Sequence, residues 1–179
     1  MRKLILGVAV SLDGYIEGPK GEYDWCFTDQ DYGMSDFFKR IDALFIGRRT
    51  YEMFGPQSEV KPTEEQMAPF AHFKQYIFSD TLKEIQKEYT LVNSDGLEEK
   101  VRAIKNENGK DIWLFGGASL TTSLMNLGLV DEIGVGVHPI LLGGGKPLFQ
   151  NLKDRVKLDL IDSKTYSSGL VSLTYQPKG

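Results

Sequence analysis

Gly116 and Gly117 stand at the end of an apolar run that begins at Asp111, and a helix-like segment, Ser119 to Leu129, follows them. A strand that stops at two glycines and becomes a helix exposes backbone N–H groups beside a helix N-terminus. That arrangement suits a phosphate or diphosphate. Glycine matters there because a Cβ would block close approach and forbid some turn conformations. A Gly-Gly pair after a strand can equally be only a tight connection.

Two other apolar runs end in similar chemistry. Ile46 is followed by Gly47-Arg48-Arg49-Thr50, and Phe78 by Ser79-Asp80-Thr81. Ligands of open parallel sheets bind beyond the carboxyl ends of strands. Arg48 and Arg49 each offer a planar fork of donors that can grip phosphate oxygens. They sit poorly at the start of a helix, whose dipole is positive there, and an anion would remove the conflict. The alternative is a solvated helix start.

A third group is Ser11-Leu12-Asp13-Gly14-Tyr15-Ile16-Glu17-Gly18, and the loop runs on to Trp25. Tyr15, Tyr23 and Trp25 within it can fold over a ring-shaped ligand, or pack on the body as an ordinary surface loop. A fourth is the step from His138 to Lys146, whose glycines, Gly143 to Gly145, either wrap a substrate or make a turn. His138 and His72 have no partner ligands near them, so no metal site is expected. Cys26 has no histidine close in sequence and reads as a small, half-buried residue rather than a nucleophile. No Gly-x-Ser-x-Gly elbow for a Ser-His-Asp hydrolase is present.

Positioning these groups requires alternating elements. Arg2 to Leu12 reads as a buried strand, and Asp13 to about Trp25 as a loop. Ser35 to Ile41 is the end of a helix, and Ala43 to Ile46 a strand that turns at Gly47 into another helix. Gly55-Pro56 should end that helix; a polar loop over 56–63 and a brief helix over 64–70 should follow. Strands are expected at Gln75–Ser79 and Thr90–Asn93. A helix from about Gly96 to Glu107 should be capped by Ser94 or Asp95. After the Gly-Gly strand and its helix come a strand at Glu132–His138 and two closing strands, about Val156–Thr165 and Leu170–Tyr175. Strands alternating with helices, then a terminal hairpin, predict an α/β chain with a mixed, mostly parallel sheet and helices on its faces.

The chain has 179 residues, 41% of them hydrophobic, which fits one domain over 1–179 with a real core. A net charge of −4 argues against a nucleic-acid binder. With one cysteine, no disulfide can form within the chain, and a reducing cytoplasm is the simplest home. The apolar run after Met1-Arg2-Lys3 is too short for a signal peptide and flows into Asp13-Gly14 with no cleavage site. No segment is long enough to span a membrane.

In this order, the pieces resemble the dihydrofolate reductase-like superfamily, and most of all the reductase domain of bacterial riboflavin biosynthesis. The carriers are Ser11 to Ile16, Asp42 to Glu52, Leu114 to Ser119 and Pro139 to Phe149. The resemblance implies a three-layer fold with a C-terminal antiparallel hairpin, a homodimer, and NADPH as cofactor, with NADH as the alternative. It implies that Gly47, Arg48, Arg49 and Thr50 hold the adenosine-side phosphates, with Ser79 at the adenine ribose. Gly116, Gly117, Ala118, Ser119 and Leu120 would cradle the diphosphate, with a cis Gly116–Gly117 peptide. Val8, Ala9, Asp13, Tyr15 and Trp25 would border the nicotinamide and a small-molecule substrate, with Leu142 and Gly143 beside them.

Two residues depart from the pattern. Met34 stands where dihydrofolate reductase proper carries an acid, so a different small heterocyclic or sugar-linked acceptor is expected. Asp31 is the candidate proton donor, an ordered water the alternative. Asp80, beside Ser79, would repel a 2′-phosphate unless the arginines dominate. A ligand-binding module that uses the fold without catalysing reduction is the rival expectation.

Overall fold

The computed structural model describes residues 1–54, 70 and 72–178. The turn expected at Gly55-Pro56, the loop over 56–63 and most of the helix over 64–70 lie outside the described residues. Among the described residues, ten strands and four helices are defined. The strands are β1 (Leu4–Ser11), β2 (Tyr15–Glu17), β3 (Ile41–Gly47), β4 (Lys74–Phe78), β5 (Thr90–Val92), β6 (Asp111–Gly116), β7 (Glu132–His138), β8 (Lys146–Pro147), β9 (Leu158–Thr165) and β10 (Val171–Pro177). The helices are α1 (Met34–Arg40), α2 (Arg48–Phe54), α3 (Leu97–Asn106) and α4 (Ala118–Asn126).

Eight strands form one sheet in the order β5-β4-β3-β6-β1-β7-β10-β9, and β2 pairs with β8 separately. All ladders from β5 to β7 are parallel. Strands β10 and β9 close the sheet as an antiparallel hairpin. Alternate residues of β3 explain the layering: Ala43 and Phe45 join one apolar cluster, Leu44 and Ile46 the other. The first cluster takes Val101 and Ile104 of α3 and Leu124 and Met125 of α4. The second takes Phe37 and Phe38 of α1 and Tyr51 of α2 against Trp113. Helices therefore cover both faces, as the alternation of buried strands and amphipathic helices implies.

Two local expectations change. Helix α3 starts after Gly96 in the left-handed conformation, and no side chain caps it. Ser94 contributes only its carbonyl, which accepts from Leu97 N. Residues Tyr15 to Glu17, expected as loop, form a strand because β8 offers them an edge. The Gly116–Gly117 peptide is cis.

At the amino edge of the sheet, buried Lys105 of α3 donates to Leu129 O at 2.9 Å and pairs with Asp131 at 2.6 Å. Arg40 forks onto Glu132 at 3.0 and 3.1 Å. These pairs lock the edge opposite the one where the glycines and arginines gather.

Candidate active site

Strands β3 and β6 are neighbours, but the chain leaves β3 for β4 on one side and β6 lies on the other. Such a reversal opens a crevice beyond the strand ends. A cleft of about 260 Å³ lies there. The β3–α2 corner supplies Gly47, Arg48, Arg49 and Thr50, the end of β4 supplies Ser79 and Asp80, and the β6–α4 turn supplies Gly117, Ser119 and Leu120. Gly116 precedes them, and the Ala118 side chain is buried in the first turn of α4.

The two glycine turns are fitted to each other. A Cβ on Gly47 would lie 3.4 Å from Gly116 O and Gly117 N, so the turns touch backbone to backbone. Gly116 has φ of +122°, which side-chain-bearing residues rarely adopt. No side chain caps α4. Its first N–H groups have no intrahelical partner and form the positive end of the helix dipole.

The hydroxyls and charges are also set by local bonds. Ser79 Oγ accepts from Thr81 N and Leu82 N and lies 3.4 Å from Thr81 Oγ1, so the hydroxyl holds the turn. Asp80 accepts from Ser94 N at 2.7 Å, and that bond first of all holds its carboxyl below the usual range. It is therefore an anion at neutral pH, tied to the segment after β5. Arg48 is half neutralised by Glu52 one turn on, at 2.9 Å. Among the described residues, no carboxylate pairs with Arg49. Bare backbone, hydroxyls and the Arg49 guanidinium at one crevice fit an elongated, phosphate-bearing ligand.

A second feature adjoins the crevice. The ladder between β1 and β6 runs only over Leu4–Leu6 and Ile112–Leu114, whereas β1 stays paired to β7 up to Ser11. Beyond Leu6 the two strands part. Trp113 Nε1 donates to Gly7 O at 2.8 Å, and a Cβ on Gly7 would meet that nitrogen at 2.9 Å. Val8 and Ala9, both half-buried, follow on the strand edge that β6 has left.

The residues expected at the substrate lie outside the 260 Å³ cleft. Asp13 Oδ1 accepts from Ser11 Oγ at 2.6 Å and from Leu142 N at 3.2 Å, and Oδ2 from Gly143 N at 2.8 Å. The Ser11 bond, then those from Gly143 and Leu142, hold its carboxyl low. Asp13 thus fastens the loop after β1 to the glycine loop before β8, and Tyr15 pairs with Pro147 beside it. Trp25 packs edge-on against His138, and Phe27 N donates to His138 Nε2 at 3.1 Å. Buried His138 is an anchor for the loop. The Cys26 thiol is pushed up to about 11, by burial first and Asp24 second, which suits an inert residue.

Asp31 accepts from Ser35 Oγ at 2.6 Å, Ser35 N at 2.9 Å and Gly33 N at 3.1 Å. Ser35 in particular holds its carboxyl low. An exposed carboxylate that accepts three bonds at the start of α1 braces that helix.

Sequence reading left out Ser94, Leu97, Ser123 and Lys146, which also line the cleft. Ser123 lies one turn beyond Ser119 on α4, so helical spacing alone indicates it. Lys146 directly follows the triple glycine, but its position depends on the β2–β8 pairing.

The chain matches the RibD C-terminal domain over residues 2–172. It is 45% identical to the uncharacterised protein YyaP of Bacillus subtilis (strain 168), over 99% of this chain and 96% of that one. Among solved structures, it superposes on a protein from Shewanella sp. PV-4 assigned to riboflavin biosynthesis with a TM-score of 0.77 and 25% identity, covering all of both chains. It superposes on dihydrofolate reductase from Enterococcus faecalis with a TM-score of 0.64 and 15% identity, over 99% of this chain and 97% of that one, a likeness of fold alone. A matched family spanning nearly the whole length, on a dihydrofolate reductase-like sheet, makes this chain a member of the RibD C-terminal domain family.

Proposed function

We propose that the protein is an NADPH-dependent reductase acting on a small pterin-, pyrimidine- or ribityl-type molecule, in the manner of 5-amino-6-(5-phosphoribosylamino)uracil reductase. One observation carries the reading: three parallel strand ends bring Gly47–Thr50, Ser79, and Gly117 with Ser119 and Leu120 to one crevice. Family membership supports it. When bound, the reduced nicotinamide supplies a hydride. The protein's own residues bind and orient. The 116–117 backbone and the start of α4 receive the diphosphate, Thr50 and Ser119 offer hydroxyls, and Arg49 offers charge to a 2′-phosphate. The free edge of Val8 and Ala9 offers N–H and C=O groups to a planar amide. Water is the favoured proton source, because the oxygens of Asp31 are committed to α1.

Titration with NADPH and NADH, followed by nicotinamide fluorescence and protein melting, tests the proposal. Both should bind, NADPH more tightly. Arg49→Ala should weaken NADPH about fivefold and leave NADH nearly unchanged. Asp80→Asn keeps an acceptor for Ser94 N and should increase the preference for NADPH. Equal losses for the two cofactors in Arg49→Ala would remove the 2′-phosphate contact.

The rival reading, a ligand-binding module without reductase activity, draws on Met34 at the position of the missing acid and on the bracing role of Asp31. Cofactor binding without oxidation against a panel of pterins, pyrimidines and carbonyls would favour it.

A further inference from the structure

Lys146 is the one residue of the β2–β8 unit that lines the cleft among the described residues. Its half-buried side chain has no ion pair or hydrogen bond with any described residue, whereas Arg48 is paired with Glu52 and Asp80 with Ser94. A lysine at the cleft without a partner among the described residues is available to meet an anion there.

The position is tightly fixed. Lys146 pairs with Glu17 across the β2–β8 ladder. Gly145 precedes it with φ of +122°, and a Cβ there would fall 2.1 Å from Glu17 O. Leu148 N donates to Gly14 O and Leu12 N to Ile140 O, while Asp13 holds Leu142 N and Gly143 N. The unit carrying Lys146 is thus bonded to the end of β1. Lys146 lines the cleft together with Gly117, Ser119, Leu120 and Ser123 of the β6–α4 turn and helix. An anion cradled by that turn would be met by Lys146 from an element outside the main sheet.

We propose that Lys146 binds the diphosphate of the dinucleotide and closes the cleft over it from the β2–β8 side; this rests on the reductase reading above. Because both nicotinamide cofactors carry that diphosphate, its loss should not discriminate between them.

The test measures dissociation constants of NADPH and NADH for the wild type, Lys146→Gln and Lys146→Arg, with cofactor-free melting temperatures as the folding control. Lys146→Gln should weaken both cofactors by the same factor, roughly ten- to hundredfold. Lys146→Arg should recover most of the loss, and the salt dependence of binding should be shallower in Lys146→Gln. Unchanged affinity in Lys146→Gln overturns the proposal. A loss confined to NADPH also overturns it, by moving the lysine to the 2′-phosphate. Wild-type protein that binds neither dinucleotide defeats the reductase reading itself, and the role of Lys146 with it.

Discussion

Asp31 shows how a single residue's partners decide its chemistry. Its carboxylate accepts from Ser35 and Gly33 and is held low by them, Ser35 foremost. Asp31→Ala should therefore lower the melting temperature and leave turnover intact, as steady-state rates and a thermal scan would show. A large fall in turnover at unchanged stability would return Asp31 to the chemistry. The pH dependence follows from the same bonds. A carboxyl whose folded value lies below the ordinary 3.8 adds stability that is fully present above that value. The contribution is lost as pH falls through the lower folded value. Melting scans of wild type and Asp31→Ala should therefore converge in strong acid and diverge above pH 3.8. Asp13 is held low in the same direction by Ser11, Gly143 and Leu142, so acid should loosen the glycine loop as well.

At the scale of elements, the pairing of β2 with β8 is the smallest ladder among the described residues and the one on which the position of Lys146 at the cleft depends. Gly145 makes it possible, since no other residue fits both the backbone angle and the contact with Glu17 O. Gly145→Ala should cost about 2–4 kcal/mol and weaken cofactor binding, because strain and overlap act together. Denaturant unfolding and a NADPH titration would measure the two effects. Gly143→Ala makes a useful contrast: it has a positive φ of 70° but open space around the position, so only the backbone cost applies. The longer elements are less delicate. Helix α3 holds its place through Val101 and Ile104 in the core despite lacking a side-chain cap.

Across the whole molecule the sheet has two different edges. The short strand β5 closes one. The other is β9, all eight residues of which are exposed, with Leu160 at 56% and Ile161 at 52%. Exposed apolar side chains on an edge strand invite pairing, while Asp159, Asp162 and Lys164 limit how it can occur. We propose that the homodimer implied by the family resemblance covers this edge. Sedimentation of wild type should give a dimer, and Leu160→Lys with Ile161→Lys should give a folded monomer. A wild-type monomer at high concentration, or a dimer indifferent to both changes, would remove β9 from the interface.

Period-two and period-3.6 patterns in the chain sufficed for the strands and helices of the main sheet and its closing hairpin, and glycine placement for the turns after β3 and β6, but the short strands β2 and β8 carry no such pattern. Those patterns are local, since a buried strand and a helix face each leave their mark within ten residues or so of sequence. The juxtaposition of Arg48, Ser79 and Gly117 was legible only as an expectation, from the rule that parallel strands present their carboxyl ends together. Tertiary structure alone decided which polar groups remain free. Asp13 is spent on Leu142 and Gly143, well over a hundred positions away, and Asp31 on α1, while Lys146 lines the cleft without a partner among the described residues. Hydrogen-bond partners far apart in the chain carry no local pattern, so a carboxylate poised for chemistry and one committed to bracing look the same until the chain has folded.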